Sequence, residues 1–168
     1  LWAWGLNNES QVGDGTLTNK NAPVHIGTDT DWAFISSGGS HTLALKTNGT
    51  LWAWGSSFHG QCGTGPIGLN ASVTVPTQVG NDNDWKFIAG THEQSLAIKN
   101  NGTLWTWGEN LYGQLGNGLW GNNLDVYYPT QIGNDTDWAY VAGNLNSSFA
   151  LKSNGTLWAW GANDYGQL

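Results

Sequence analysis

The phrase Leu-Trp-x-Trp-Gly recurs through this chain with successive spacings of 50, 53 and 53 residues, and its four copies occupy 1–5, 51–55, 104–108 and 157–161. A further tryptophan keeps the same step of 53, at Trp32, Trp85 and Trp138. Periods of this length indicate a repeat architecture, in which each unit buries its apolar surface against its neighbours.

Each period divides into four predicted strands. The first is expected at 32–35, 85–88 and 138–141, and the second at 42–46, 95–99 and 148–152. An Asn-Gly pair follows the second strand and predicts a two-residue type I′ hairpin turn, which needs positive φ at both central positions. The Leu-Trp-x-Trp phrase is the third strand, and a fourth follows a proline, at 23–26, 77–79 and 130–132.

The third strand shows how these sheets are covered. Side chains alternate along a strand, so Trp52 and Trp54 share one face while Leu51 and Ala53 share the other. A sheet packed on one side would alternate apolar with polar residues, whereas both faces here are apolar. The pattern therefore predicts an all-β protein of four-stranded antiparallel β-propeller blades, with about three repeats of about 53 residues.

Several motifs of one period resemble the regulator-of-chromosome-condensation repeat, in the Trp- and Asn-rich form of bacterial and environmental members. They are Trp-Lys-Phe-Ile-Ala-Gly, Leu-Ala-Ile-Lys, Asn-Gly-Thr-Leu-Trp-Thr-Trp-Gly and Tyr-Gly-Gln-Leu-Gly, at 85–90, 96–99, 101–108 and 112–116. The resemblance implies a propeller, usually of seven blades. The Gly-Gly-x-His element of the family is complete only at 38–41, because Gln94 and Ser147 stand where the first repeat has His41.

The repeat phase divides the chain into two complete units, 32–84 and 85–137, between the second half of a blade at 1–31 and the first half of one at 138–168. Propellers have four to eight blades. We therefore expect either a part of a larger propeller or an array that associates with further copies of itself.

Charge and composition exclude some functions. The net charge is −7, and the five cations are scattered lysines without arginine, which argues against nucleic acid as a partner. No stretch approaches the roughly 18 apolar residues of a membrane-spanning helix, so we expect no membrane insertion. Cys62 is the only cysteine and stands at the position of Leu115, so it is expected to be a small buried hydrophobe.

The sequence offers no convergent set of catalytic groups. The four histidines, His25, His41, His59 and His92, fall at different repeat phases and lack the spacing of zinc ligands. Paired aspartates precede each first strand, at 29 and 31, 82 and 84, and 135 and 137. They are interpreted as turn residues, with calcium binding as the alternative. We expect no enzyme, no cofactor and no metal site.

Seven Asn-x-Ser/Thr sequons are present, at Asn8, Asn48, Asn70, Asn101, Asn134, Asn146 and Asn154. Three of these asparagines belong to the Asn-Gly turns and have a structural reason to be there. Asn70 and Asn146 lie in less constrained loops and are the candidates for glycosylation if the protein is extracellular or on the cell surface, our expected location, with the cytoplasm as the alternative.

The repeats differ most between the motif glycine and the proline. The third copy of this loop carries four large side chains, Leu119, Trp120, Tyr127 and Tyr128, and Trp120 is the one tryptophan outside the repeat phases. Such aromatic residues in a loop are favoured recognition anchors, and packing of the loop onto its own blade is the alternative.

Three functions remain open from these observations. The first is a non-enzymatic scaffold that binds a protein partner or further copies of itself. The second is a carbohydrate-binding propeller, whose exposed aromatic residues stack on sugar rings. The third rests on the resemblance alone, since the family includes a guanine-nucleotide exchange factor and a secreted β-lactamase inhibitor: an inhibitor or regulator of a partner enzyme.

Overall fold

The computed structural model describes residues 1–65 and 72–168 as four antiparallel sheets without a helix. The first sheet pairs β1 (Trp2–Gly5) with β2 (Lys20–His25). The second contains β3 (Trp32–Ser37), β4 (His41–Lys46), β5 (Leu51–Ser56) and β6 (Ser72–Gln78). The third contains β7 (Trp85–Gly90), β8 (Gln94–Lys99), β9 (Leu104–Gly108) and β10 (Val126–Ile132). The fourth contains β11 (Trp138–Gly143), β12 (Ser147–Lys152) and β13 (Leu157–Gly161). Strands pair in chain order within each sheet, as in propeller blades.

Two local predictions were wrong. The fourth strand begins before its proline, because residues ahead of Pro76 pair with the end of β5, with Ser72 opposite Ser56, and the register shifts where the proline lies. The proline has no N–H to donate, so it is tolerated only in this irregular stretch. The Asn-Gly hairpin is also longer than predicted: Gly49 N–H bonds to the Lys46 carbonyl, and positive φ occurs at Gly49 alone. It is a three-residue loop that ends in a left-handed glycine.

The predicted burial of both sheet faces is confirmed in the second and third sheets. Leu43, Leu51 and Ala53 of the second sheet pack against Trp85 and Trp107 of the third, and all five are at least 95% buried. The small side chains of one sheet thus receive the large side chains of the next. This apolar contact between sheets is the core of the molecule.

A repeated hydrogen-bond motif, which we call the staple, ties each sheet to the one before it. The second tryptophan of the phrase and a hydroxyl on the strand beside it both donate to one backbone carbonyl of the preceding unit. Trp107 and Ser95 donate to Gln61 at 2.9 and 2.8 Å. Trp54 and Thr42 likewise share the carbonyl of Gln11, and Trp160 and Ser148 share that of Gln114.

The glycine that ends the Gly-Gln-x-Gly motif makes room for the staple. A Cβ at Gly63 would lie 2.8 Å from the indole nitrogen of Trp107, and Gly63 has φ of +70°. Gly13 and Gly116 face Trp54 and Trp160 in the same way. The glycine and the tryptophan, 44 or 41 residues apart in the chain, therefore form one contact.

Antiparallel pairing puts the connections at two opposite ends of the sheets. One, the loop end, carries the long loops after β1, β5 and β9 and the short turns before β4, β8 and β12. The other, the hairpin end, carries the Asn-Gly turns and the aspartate pairs.

Candidate interaction surface

The aspartate pairs of the hairpin end each bind a lysine of their own chain. Lys99 Nζ lies 2.6 Å from Asp82 and 3.0 Å from Asp84, and over the rings of Trp85 and Trp105 at 4.7 Å. The same arrangement recurs around Lys46 and around Lys152. A lysine ammonium thus occupies the position that the calcium interpretation would give to a metal ion.

These lysines correct the description of the cations as scattered, because Lys46, Lys99 and Lys152 stand at one repeat phase, 53 residues apart. The pKa of Lys46 is raised, first by its hydrogen bond to Asp29 and then by Asp31. The pKa of Lys99 is also raised: burial opposes the charge, but the bonds to Asp82 and Asp84 outweigh it. The ammonium groups therefore stay charged and act as structural clamps.

His41 is fully enclosed at the start of β4 and serves the contact between sheets. Its Nε2 lies 2.8 Å from Ser95 Oγ of the third sheet, and burial lowers the pKa of its imidazole to about 3, with a smaller effect from His92. Gln94 and Ser147 are buried at the same register position. The polar residue at this place is therefore a packing element.

Cys62 confirms the prediction of a small buried hydrophobe. It has no exposed surface, its thiol donates to the Ser56 carbonyl at 3.3 Å, and burial raises its pKa to about 12. Of the two glycosylation candidates, Asn70 lies outside the described residues, and Asn146 is half-buried in the turn before β12. Use of either sequon stays a prediction.

Two asparagines of the loop end fix the long loops in place. Asn110 Nδ2 donates to Asn117 Oδ1 and to the Leu119 carbonyl, both at 3.1 Å, and its Oδ1 accepts from Leu115 N–H at 3.2 Å. In the first loop, Asn7 Nδ2 likewise donates to Asp14 Oδ1 and to the Thr16 carbonyl, and its Oδ1 accepts from Val12 N–H. Both side chains are fully buried, so the loop backbones are set by hydrogen bonds within each loop.

The four predicted loop anchors divide into two groups. Trp120 is 75% exposed, and Leu119 is exposed beside it. Tyr127 and Tyr128 pack toward the second sheet: a Cβ at Gly60 would lie 2.7 Å from the Tyr127 ring, and one at Gly65 2.6 Å from the Tyr128 hydroxyl. Both tyrosines lie in β10 rather than in the loop and also reach the loop of the neighbouring sheet, and Tyr128 stays exposed.

A groove of about 290 Å³ lies between the loops of the second and third sheets. His59 Nδ1 and Asp125 Oδ2, 2.8 Å apart, join the two loops, and Phe58 stacks edge-on against His59 at 4.8 Å. The remaining wall is formed by Glu109, Leu111, Gly121, Asn122, Asn123 and Tyr127. This juxtaposition was not predicted from the sequence, because His59 and Asp125 are 66 residues apart in loops without a common pattern.

A second groove, of about 510 Å³, also has Phe58 in its wall and is lined by residues of the first, second and third sheets. Glu9 and Glu93 line it, together with Asn8, Leu17, Ser40, Ser56 and Ser72. Gln61 Nε2 donates to Glu93, and burial raises the pKa of this carboxyl, with smaller opposing effects from His92 and His59. A cation entering the groove would meet a partly dehydrated carboxylate.

A family model described as regulator of chromosome condensation (RCC1) repeat matches residues 1–45, 48–98 and 101–151, in step with the strands and the staples. The chain belongs to the RCC1 repeat family. A second model of the same repeat matches 32–61 and 139–167. The resemblance drawn from the motifs is therefore confirmed across the chain.

Curated relatives in the RCC1 family have several functions. The Ultraviolet-B receptor UVR8 of Arabidopsis thaliana is 28% identical over 99% of this chain, which spans 38% of the receptor. The probable E3 ubiquitin-protein ligase HERC6 of Homo sapiens is 34% identical over 80% of this chain but only 13% of the ligase. The RCC2 homolog of Danio rerio is 33% identical over 77% of this chain and 26% of its own length.

Solved RCC1-like structures share the fold. Human WBSCR16 superposes with a TM-score of 0.80 at 22% identity, over 95% of this chain and 42% of that one. Prp20p of Saccharomyces cerevisiae, studied for its binding to Gsp1p and histones, superposes with a TM-score of 0.78 at 27% identity, over 95% of this chain and 40% of that one. The prediction of β-propeller blades is confirmed.

Membrane-spanning helices and metal clusters are both absent from residues 1–65 and 72–168. The described part of the chain holds no helix suited to crossing a bilayer. Within the same residues, histidine, cysteine, aspartate and glutamate side chains nowhere form a group of three that could hold a metal ion. The loop end, which exposes Phe58, Leu119 and Trp120, is the candidate interaction surface.

Proposed function

We propose that this chain is a non-enzymatic, protein-binding part of an RCC1-type propeller, and that its loop end recognises the partner. One observation carries the proposal: Trp120 is 75% exposed on a loop whose backbone is held by the buried side chain of Asn110. A large aromatic side chain on a fixed backbone loses little conformational entropy when it binds, which favours it as an anchor.

The contrast between the two ends supports this assignment. The hairpin end repeats the same lysine clamp three times and offers little that differs between units. The loop end differs in every unit and exposes Phe58, Tyr112, Leu119 and Trp120 there. Recognition in repeat proteins depends on such variable loops on a shared frame. Prp20p, which is studied for binding to Gsp1p and histones, supports a protein as the kind of partner.

The proposal is tested by selecting ligands for the chain from a displayed library of random peptides, with a glycan array probed in parallel. We expect peptides to be enriched and their affinity to fall about tenfold, or 1.4 kcal/mol, in Trp120→Ala. Tyr165→Ala is the matched control, because Tyr165 is 95% exposed and lies outside this loop.

Three outcomes would overturn the proposal: selected peptides that bind Trp120→Ala as tightly as the wild type, glycan binding without any peptide enrichment, or equal losses in both variants. Sedimentation of the chain at several concentrations, done first, shows whether a second copy covers this surface. Self-association that Trp120→Ala abolishes would make the chain its own protein partner.

A further inference from the structure

The two grooves of the loop end form one surface divided by a single aromatic side chain. Phe58 is 44% exposed and lines both the groove of about 290 Å³ and the groove of about 510 Å³. A ligand that spans both grooves would therefore contact Phe58. With volumes of about 290 and 510 Å³, each groove can admit a side chain but not a folded domain.

The grooves carry the same charge on both sides of Phe58. Glu109 and Asp125 line the smaller groove, Glu9 and Glu93 line the larger one, and no lysine is among the lining residues of either. Four carboxylates thus face the two grooves, and His59 beside Asp125 is the one basic side chain in their described walls.

The hydrogen bonds of these carboxylates leave most of their charge uncompensated. Glu109 accepts from Gln114 at 3.0 Å, Glu93 accepts from Gln61, and Asp125 accepts from the Asn110 N–H at 3.2 Å. Apart from His59, which contacts Asp125, these carboxylates therefore accept from neutral amide groups. At the hairpin end, by contrast, each aspartate pair shares one lysine, whereas none of these four carboxylates has a lysine partner among the described residues.

We propose that the partner presents an extended basic segment, which lies across Phe58 and places lysine or arginine side chains in the grooves on both sides. This rests on the proposed function and names the chemistry of the partner. The aliphatic stem of such a side chain packs on Phe58 and Tyr127, and its charged group reaches the carboxylates. Charge complementarity of this kind sets the specificity and the association rate.

Other ligand classes fit these walls less well. Nucleic acid and anionic lipid surfaces would meet carboxylates of their own sign. A divalent cation would need several convergent ligands, and the described residues contain no cluster of three acidic, cysteine or histidine groups. A peptide cation needs no such convergence, because each carboxylate can serve a separate side chain.

The probe is a fluorescein-labelled peptide that alternates arginine with glycine, compared with peptides in which glutamine or glutamate replaces every arginine. Fluorescence anisotropy is measured at low and at physiological salt. We expect the arginine peptide alone to bind. Each of Glu93→Gln and Glu109→Gln should weaken binding about tenfold, and Phe58→Ala should do so by a similar factor.

Matched controls separate this surface from general attraction to an acidic protein. Asp164→Asn removes one exposed carboxylate outside both grooves, and Tyr165→Ala removes one exposed aromatic ring outside them. Both should bind the arginine peptide like the wild type. Thermal unfolding followed by circular dichroism checks that every variant keeps its fold.

The outcomes also separate this inference from the proposed function. Equal losses in Asp164→Asn and Glu109→Gln, or equal binding of the glutamine peptide, would overturn the basic-segment assignment. Library peptides that are neutral or acidic and still depend on Trp120 would overturn it too, yet leave the loop end as a protein-binding surface. Library peptides that are rich in arginine and lysine and compete with the probe would support both.

Discussion

The indole nitrogen of Trp107 donates a 2.9 Å hydrogen bond to the backbone carbonyl of Gln61 in the preceding unit. The same carbonyl accepts the hydroxyl proton of Ser95, whose oxygen is then free to accept from Nε2 of His41. One backbone oxygen therefore connects a loop, two strands and two sheets.

Trp107→Phe should lower the free energy of unfolding by about 2 kcal/mol, because it removes a donor and part of a ring that is fully buried. Trp120→Phe, at an exposed position, should change it by less than about 0.5 kcal/mol. Urea unfolding followed by circular dichroism measures both. Equal midpoints for the two variants would show that the staple contributes no stability.

Gly63→Ala should destabilise the fold more than Gly80→Ala. Both glycines have positive φ, at +70° and +63°, so both substitutions carry the backbone cost of about 1 kcal/mol. Only at Gly63 would the new methyl group meet the Trp107 indole, and this overpacking should add about 1–3 kcal/mol. The difference between the unfolding midpoints of the two variants measures the effect of crowding Trp107. Equal midpoints would show that the close approach of Gly63 to Trp107 does not matter for stability.

Ser10→Gly should stabilise the chain by about 1 kcal/mol. Ser10 has φ of +62° where the other repeats have Gly60 and Gly113 at +80° and +77°, so its Cβ is held in a conformation that glycine adopts without strain. The reverse change, Gly113→Ser, should destabilise the chain by a similar amount. Its Cβ would make only ordinary van der Waals contacts, at 3.5 Å, so the backbone cost of positive φ is the main effect. Differential scanning calorimetry of the pair tests the sign.

Lys99→Met should lower the free energy of unfolding by about 1–3 kcal/mol, because it leaves Asp82 and Asp84 without their cation and Trp85 without its cation–π contact. Lys86→Met removes an exposed lysine one residue from Trp85 and should have little effect. Chemical denaturation at low and high salt compares the two. If Lys99→Met lowers the free energy of unfolding no more than Lys86→Met does, then the contacts of Lys99 with the aspartate pair do not stabilise the fold.

His41 should make the fold sensitive to mild acid. Its pKa is about 3 in the folded chain against 6.5 for the free side chain, so the unfolded state takes up the proton first. The contribution of neutral His41 to the free energy of unfolding is fully present above about pH 6.5. It declines as the pH falls toward 3, by about 1.4 kcal/mol per pH unit at most.

His41→Gln should therefore flatten the dependence of the urea midpoint on pH between about pH 7 and pH 5. Glutamine already stands at the same register position as Gln94, so the substitution fits the local frame. His25→Gln, which removes an exposed imidazole, is the control and should keep the wild-type dependence. An unchanged slope in His41→Gln would show that His41 is not the responsible group.

The sheet frame was predictable because its signals are local or periodic. Alternation in Leu-Trp-Ala-Trp gave the two buried faces, and the Asn-Gly pairs located the hairpins. The hairpin length was not predictable from the pair alone, because Asn-Gly also suits a loop in which only the glycine is left-handed. The early start of the fourth strand depends on pairing with the end of the third, which a proline obscures.

The candidate site was predictable only in part. Trp120 was found because it breaks the repeat phase, and the structure places it on the exposed loop end. The step of 53 residues between Lys46, Lys99 and Lys152 could have predicted that these lysines make the same contact in each repeat. No spacing rule leads to the His59–Asp125 pair or to the grooves around Phe58, because these depend on how loops of different sequence meet across two sheets.

The staple also has a consequence for how this surface can change. Its carbonyl and its glycine, such as Gln114 and Gly116, precede the variable segment, and the chain rejoins the sheet only at β10. We therefore expect that the segment between these points can be replaced without loss of the fold. Grafting the first loop, 14–19, in place of 117–125 should therefore give a chain that still folds but has a different binding specificity.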